Sequence, residues 1–141
     1  MHKHESLTIF TDGGARGNPG PAGIGVVIFD ESGEKLLATY KKYIGEATNN
    51  VAEYSAVILA LEEAKKLAAE ELAFVLDSEL VVKQLNGEYK VKNADLGKLF
   101  IKIYNLRQQF RKVTFRHVPR EKNKLADKLV NEAIDESFNL S

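Results

Sequence analysis

The apolar positions of the chain change period near residue 49. Before that point they come in short β-rich runs: residues 7–11 (LTIFT) and 23–30 (GIGVVIFD), with 30–33 (DESG) reading as a hairpin turn into 34–44 (EKLLATYKKYI), where apolar and polar residues partly alternate. Three strands with short connections predict an antiparallel meander. From Asn49 the spacing becomes helical, with Val51, Tyr54, Val57, Ile58, Leu61, Ala64 and Leu67 on one side and Thr48 or Asn49 available as N-cap. Residues 71–77 (ELAFVLD) then read as a buried strand, 78–87 as a helix stopping near Gly87, 93–110 as a second amphipathic helix, 112–118 (KVTFRHV) as a strand and 121–137 as a final helix. The expected architecture is α/β: a five-stranded mixed sheet, three antiparallel strands followed by parallel ones, flanked by helices. No repeat, low-complexity tract or linker interrupts it. One domain over 1–141 is expected, with 1–6 and 138–141 as frayed ends.

Composition narrows the chemistry. With 44% hydrophobic and 28% charged residues in 141 positions, the chain can bury a full core. No apolar run reaches the roughly 18 residues of a membrane span, and the N-terminus has no signal-peptide core. There are no cysteines, which excludes disulfides, thiolate metal sites and cysteine nucleophiles. A cytoplasmic, monomeric protein with no membrane partner is the expectation.

The net charge of zero hides a segregation. Residues 1–82 hold 7 Lys/Arg against 13 Asp/Glu, residues 83–128 hold 13 against 4, and 129–141 hold three acids and no Lys or Arg. A block of net +9 is a candidate phosphate-binding face, although the same lysines would also serve to solvate helices.

Four acids fall in apolar surroundings: Asp12 at the end of the first strand, Glu53 early in the long helix, Asp77 at the end of the fourth strand and Asp127 within the last helix. Each has an ordinary explanation. Asp12 precedes Gly13 as a turn Asp would, Glu53 suits a helix N-terminus, Asp77 can cap the following helix, and Asp127 lies between Lys124 and Lys128. Taken together they offer a set of hard oxygen ligands from separate elements. Such a set suits two divalent cations about 3.5–4 Å apart, an arrangement that clamps the attacking and leaving oxygens of a phosphodiester.

Four ordered segments, FTDGGARGNPGPAG, TNNVAEYSAVILALE, LDSELVVKQLNGEYKVKN and HVPREKNKLADKLVNEA, resemble the active-site blocks of ribonuclease H type 1, in its compact archaeal-like version. The resemblance covers residues 7–135. It implies the ribonuclease H-like fold and hydrolysis of the RNA strand of RNA–DNA hybrids, leaving 5′-phosphate and 3′-hydroxyl ends, with double-stranded RNA left open as a second substrate. It implies that Asp12, Glu53, Asp77 and Asp127 hold two Mg²⁺ ions, for which Mn²⁺ would substitute. It further implies substrate contacts from Gly13, Gly17, Asn18, Thr48, Asn49, Asn50, Ser78, Glu79 and Asn123, the bare glycine loop lying close enough to read 2′-hydroxyls.

Three departures from the family pattern stand out. The lysine-rich helix that follows the third block in well-known bacterial members is missing, and Lys83, Lys90 and Lys92, with Tyr89 for stacking, are its expected stand-ins. Glu46 occupies the position of a phosphate-pocket arginine. The family's loop histidine is also absent: Arg120 is expected to project into the site in its place, with His117 as a packed strand residue. His2 and His4 receive no functional reading.

Overall fold

The computed structural model describes residues 5–139 of the chain. Five strands, β1 (Ser6–Ala15), β2 (Gly20–Phe29), β3 (Leu36–Ala47), β4 (Glu71–Leu76) and β5 (Lys112–His117), form one sheet in the order β3-β2-β1-β4-β5. The first three are antiparallel; β4 pairs parallel with both β1 and β5. The helices are α1 (Asn49–Lys66), α2 (Glu79–Leu85), α3 (Ala94–Arg107) and α4 (Lys124–Asn139), the last preceded by a single 3-10 turn at Arg120–Lys122. This is the expected mixed sheet. Among the described residues no helix is long and apolar enough to cross a membrane.

Several boundaries differ from expectation for physical reasons. β1 does not end at Thr11. It continues through Asp12 to Ala15 because β2 supplies partners that far, with Asp12 opposite Gly25 and Ala15 opposite Ala22. Asp12 is therefore a strand residue and not a turn residue, and the true loop is only Arg16–Pro19. The last helix begins at Lys124, later than its periodicity implied, since Arg120–Lys122 close as 3-10. Glu5 and Ser6 are not frayed: the Glu5 carbonyl accepts from Glu70 and Glu71 N–H, and its carboxylate meets Arg111 at 2.7 Å. Phe138 and Asn139 belong to α4, while residues 1–4 (His2 and His4 among them) and 140–141 lie outside the described residues.

α1 is built from good helix formers, opens on a Thr48 side chain that accepts from Val51 N–H, and closes on Lys65 and Lys66. It lies over the sheet with α3 alongside, so Tyr54, Val57, Leu61 and Ala64 are fully buried with Ile9, Phe74 and Leu76 in the main core. The buried Tyr54 hydroxyl hydrogen-bonds Gln84 Oε1 at 2.6 Å and ties α1 to α2. α4 packs against β1, β2 and β3, where Gly23 and Gly25 leave room for it. A Cβ on Gly25 would sit 2.5 Å from the Ala126 carbonyl oxygen.

Candidate metal centre

β1 and β4 pair only as far as Phe10 opposite Val75, after which β1 runs on against β2 alone. The notch left where β4 ends is the C-terminal edge of the parallel strands, where open α/β sheets place their sites. Asp12 lies beside it on β1, and Asp77 follows directly from β4. Glu53 enters from the second turn of α1, which comes close because Gly13 has no side chain. A Cβ there would be 2.3 Å from the Ala52 carbonyl carbon and oxygen and 2.5 Å from Glu53 N. Gly13 N–H points into the cluster and donates to both Asp12 Oδ1 and Glu53 Oε1 at 3.0 Å.

Asp12, Glu53 and Asp77 each offer a carboxylate oxygen within 4.8 Å of the other two. Asp12 and Glu53 are 8% and 6% exposed, and Glu53 Oε2 is buried with no hydrogen-bond partner. Burial drives the Asp12 carboxyl up to about 7. The charges of Asp77 and Asp127 add to that rise, and a hydrogen bond from Glu53 opposes it. Glu53 is pushed well above the usual carboxylate range, first by burial and then by Asp12. Asp77 is also raised by burial, against the Asn123 hydrogen bond and the charges of Arg120 and His117. Clustered, desolvated carboxylates with an orphaned oxygen are what a bound cation would relieve. The donors are all oxygen, which fits Mg²⁺ or Mn²⁺.

The fourth acid stands apart. Asp127, in the first turn of α4, lines the same cavity of about 350 Å³ but does not join the tight group of three. Its carboxylate lies 3.5 Å from the Arg120 guanidinium, which also lines the cavity. His117 is outside it. It is exposed at the end of β5 and not packed as expected, with Nδ1 4.0 Å from Glu79 Oε2.

The expected substrate contacts do not all meet in that cavity. Gly13, Asn49, Asn50 and Ser78 line the cavity. Asn18, Thr48 and Asn50 line a second hollow of about 250 Å³ with Asn93, Asp95 and Leu96, while Gly17 is exposed in the β1–β2 loop at φ 94°. Glu79 is exposed at the start of α2, beside Lys83 at 3.1 Å. Several of these side chains are already in use: Asn49 Oδ1 accepts from Ala15 N–H, Asn18 Oδ1 from Asn49 N–H, and Ser78 Oγ from Val81 N–H as the α2 cap. Asn123 departs furthest from expectation. It is 1% exposed, and its amide donates to the Thr11 carbonyl at 2.9 Å and Asp77 Oδ2 at 3.3 Å. It holds β1, the end of β4 and the start of α4 together from beneath the site, and its surface is not available to a substrate.

Sequence reasoning missed Arg16 and Asn131, which also line the cavity. Arg16 sits in a polar loop, whereas α4 spacing puts Asn131 one turn beyond Asp127, which is the signal that could have found it. Of the lysines expected to stand in for a basic helix, Lys83 lies 5.1 Å from the Tyr89 ring centroid; Lys90 and Lys92 are exposed. No helix intervenes between α2 and α3.

Fold and site together define an α/β protein with a cluster of three carboxylates, fit to hold a cation, at the parallel edge of a mixed sheet. Residues 10–133 match the family model described as reverse transcriptase-like. The chain is 49% identical over 129 residues to a bifunctional protein of Mycobacterium tuberculosis, covering 92% of this chain and 35% of that one. It thus spans about a third of the length of that relative. It is 35% identical to ribonuclease H of Pseudomonas fluorescens, covering 94% of each. The solved LC11-RNase H1, in complex with an RNA/DNA hybrid, superposes with a TM-score of 0.88 at 52% identity, covering 94% of this chain and 99% of that one. The chain belongs to the ribonuclease H family, in its type 1 form.

Proposed function

We infer that this chain is a metal-dependent endoribonuclease that hydrolyses the RNA strand of RNA–DNA hybrids, leaving 5′-phosphate and 3′-hydroxyl ends. The observation that carries this reading is the convergence of Asp12, Glu53 and Asp77 within 4.8 Å at the sheet notch. The hybrid bound by LC11-RNase H1, a relative of the same fold and half the same residues, supports the substrate class.

In this reading the three carboxylates, together with Asp127, would hold two Mg²⁺ ions, which when bound would supply an activated water near neutral pH and charge stabilisation for the departing 3′-oxygen. The protein's own share is positioning. Gly13 N–H and the Asn123 amide fix the carboxylate orientations, so that little reorganisation accompanies the reaction. Arg120 offers a phosphate a planar pair of donors and, being permanently charged, does not shuttle protons. The glycine loop and Asn50 meet the strand, and contact with 2′-hydroxyls separates RNA from DNA.

The test is incubation of the protein and Mg²⁺ with labelled hybrid, double-stranded RNA and DNA duplex. Hybrid should be cut in its RNA strand, with 5′-phosphate termini. Cutting of double-stranded RNA would extend the substrate range, and absence of metal-dependent RNA cleavage in every duplex would refute the proposal. Asp12→Asn should abolish turnover yet still retain hybrid in a binding assay.

A further inference from the structure

Four carboxylates line a cavity that, on the reading above, must accept a polyanion, so cations at its rim have to draw the strand in. Two guanidinium groups line the cavity: Arg120 and Arg16. Arg16 sits in the β1–β2 loop, outside every group assigned so far. Its backbone is fixed, with its N–H donating to the Pro21 carbonyl at 2.9 Å and the preceding Ala15 N–H to Asn49 Oδ1 at 2.8 Å. Its side chain is preset by α4. Nη1 donates to Asp135 Oδ1 at 2.6 Å, and Nη2 to Asn131 Oδ1 at 3.2 Å and the Asn131 carbonyl at 3.5 Å. Asn131 in turn donates to the Asp127 carbonyl at 3.0 Å. Three of the five guanidinium N–H groups are occupied, leaving two with no acceptor among the described residues.

A loop latch is a poor account of this arrangement. The side chains of Arg16 and Asp135 are 43% and 59% exposed, so their ion pair adds little to stability. Asn49 and Asn18 already hold the loop to α1.

We propose that Arg16 is a phosphate-binding residue for the RNA strand, oriented by Asn131 and Asp135. Its α4 partner Asp135 lies eight residues beyond Asp127, the partner of Arg120, a separation of roughly 12 Å along the helix. The two arginines therefore grip different phosphates of one strand and set its path across the carboxylates.

Steady-state cleavage of a labelled hybrid across a range of salt tests this with Arg16→Ala, Arg16→Lys and the charge swap Arg16→Asp/Asp135→Arg, thermal unfolding confirming that each is folded. Arg16→Ala should raise KM roughly ten- to hundredfold with little change in kcat. It should also flatten the salt dependence of kcat/KM by about 0.7–0.9 in log–log slope, one phosphate contact. Arg16→Lys should recover the slope and part of the KM. The swap keeps an ion pair but puts an acid at position 16, and should bind hybrid more weakly than Arg16→Ala. Recovery of wild-type KM and slope by the swap would mean that the pair is a latch and overturn the proposal, as would an unchanged KM and slope in Arg16→Ala. Either result leaves wild-type cleavage intact, whereas a wild-type protein that cuts no hybrid would instead defeat the functional reading beneath it.

Discussion

Gly13→Ala tests how the site is assembled. The added Cβ would lie 2.3 Å from two backbone atoms of Ala52, where ordinary contact begins at 3.4 Å. Because the obstacle is helix backbone, no rotamer change relieves it, and α1 must withdraw from β1 by about 1 Å. Overpacking of this kind costs typically 1–3 kcal/mol. At a urea m-value of about 1–3 kcal/mol per molar, the unfolding midpoint should fall by roughly 1 M. Activity should suffer more than stability. Glu53 rides on the displaced turn, and its 3.0 Å bond from Gly13 N–H stretches with it. A displacement of about 1 Å can lower kcat on the order of a hundredfold. Gly14→Ala is the internal control for stability, since its Cβ would meet nothing closer than 3.8 Å and should leave the unfolding midpoint unchanged. The measurements are urea denaturation followed by circular dichroism, and hybrid cleavage at saturating Mg²⁺. Wild-type stability and kcat in Gly13→Ala would refute the argument that this glycine exists to admit α1.

Other perturbations follow from the same geometry. Without divalent cation the folded protein binds more protons than the unfolded chain between pH 4 and 7, because the Asp12 carboxyl is raised from 3.8 to about 7. Its contribution to stability is therefore lost as pH rises through that window. Asp12→Asn should be more stable than wild type at pH 8, by on the order of 1–4 kcal/mol, with the difference vanishing near pH 4. Mg²⁺ should raise the melting temperature of the wild type at pH 8 more than that of the variant; parallel curves would remove Asp12 from the cation site. Asn123→Ala strips donors from the Thr11 carbonyl and Asp77 and should cost about 1–3 kcal/mol, along with much of the activity. A neutral result in denaturation would mean that the amide bonds are dispensable. Arg120→Ala should lose far more cleavage than His117→Ala, since only Arg120 lines the cavity; the reverse order in kcat would hand the role to His117.

The period of the apolar residues was enough to place all five strands and four helices in order, because strand and helix faces must each find a core. Its errors fell where tertiary partners decide where an element ends. β1 outruns its apolar residues because β2 continues to pair with it, and α4 starts late because the chain closes a 3-10 turn first. The four acids were legible one by one as charges in apolar surroundings. Their unequal standing was not, because nothing local separates the close-set group of Asp12, Glu53 and Asp77 from an Asp127 paired with Arg120. Likewise Asn123 carries the same amide whether it faces solvent or lies buried under Thr11 and Asp77, and Arg16 is one more loop arginine until α4 folds against it. Sequence alone determined which elements form and which chemistry they carry, since both follow from side-chain type and local spacing. The packing of α1 and α4 onto a glycine-bearing sheet decided which of those groups meet, because burial, charge coupling and hydrogen bonding across more than 100 residues of chain exist only after folding.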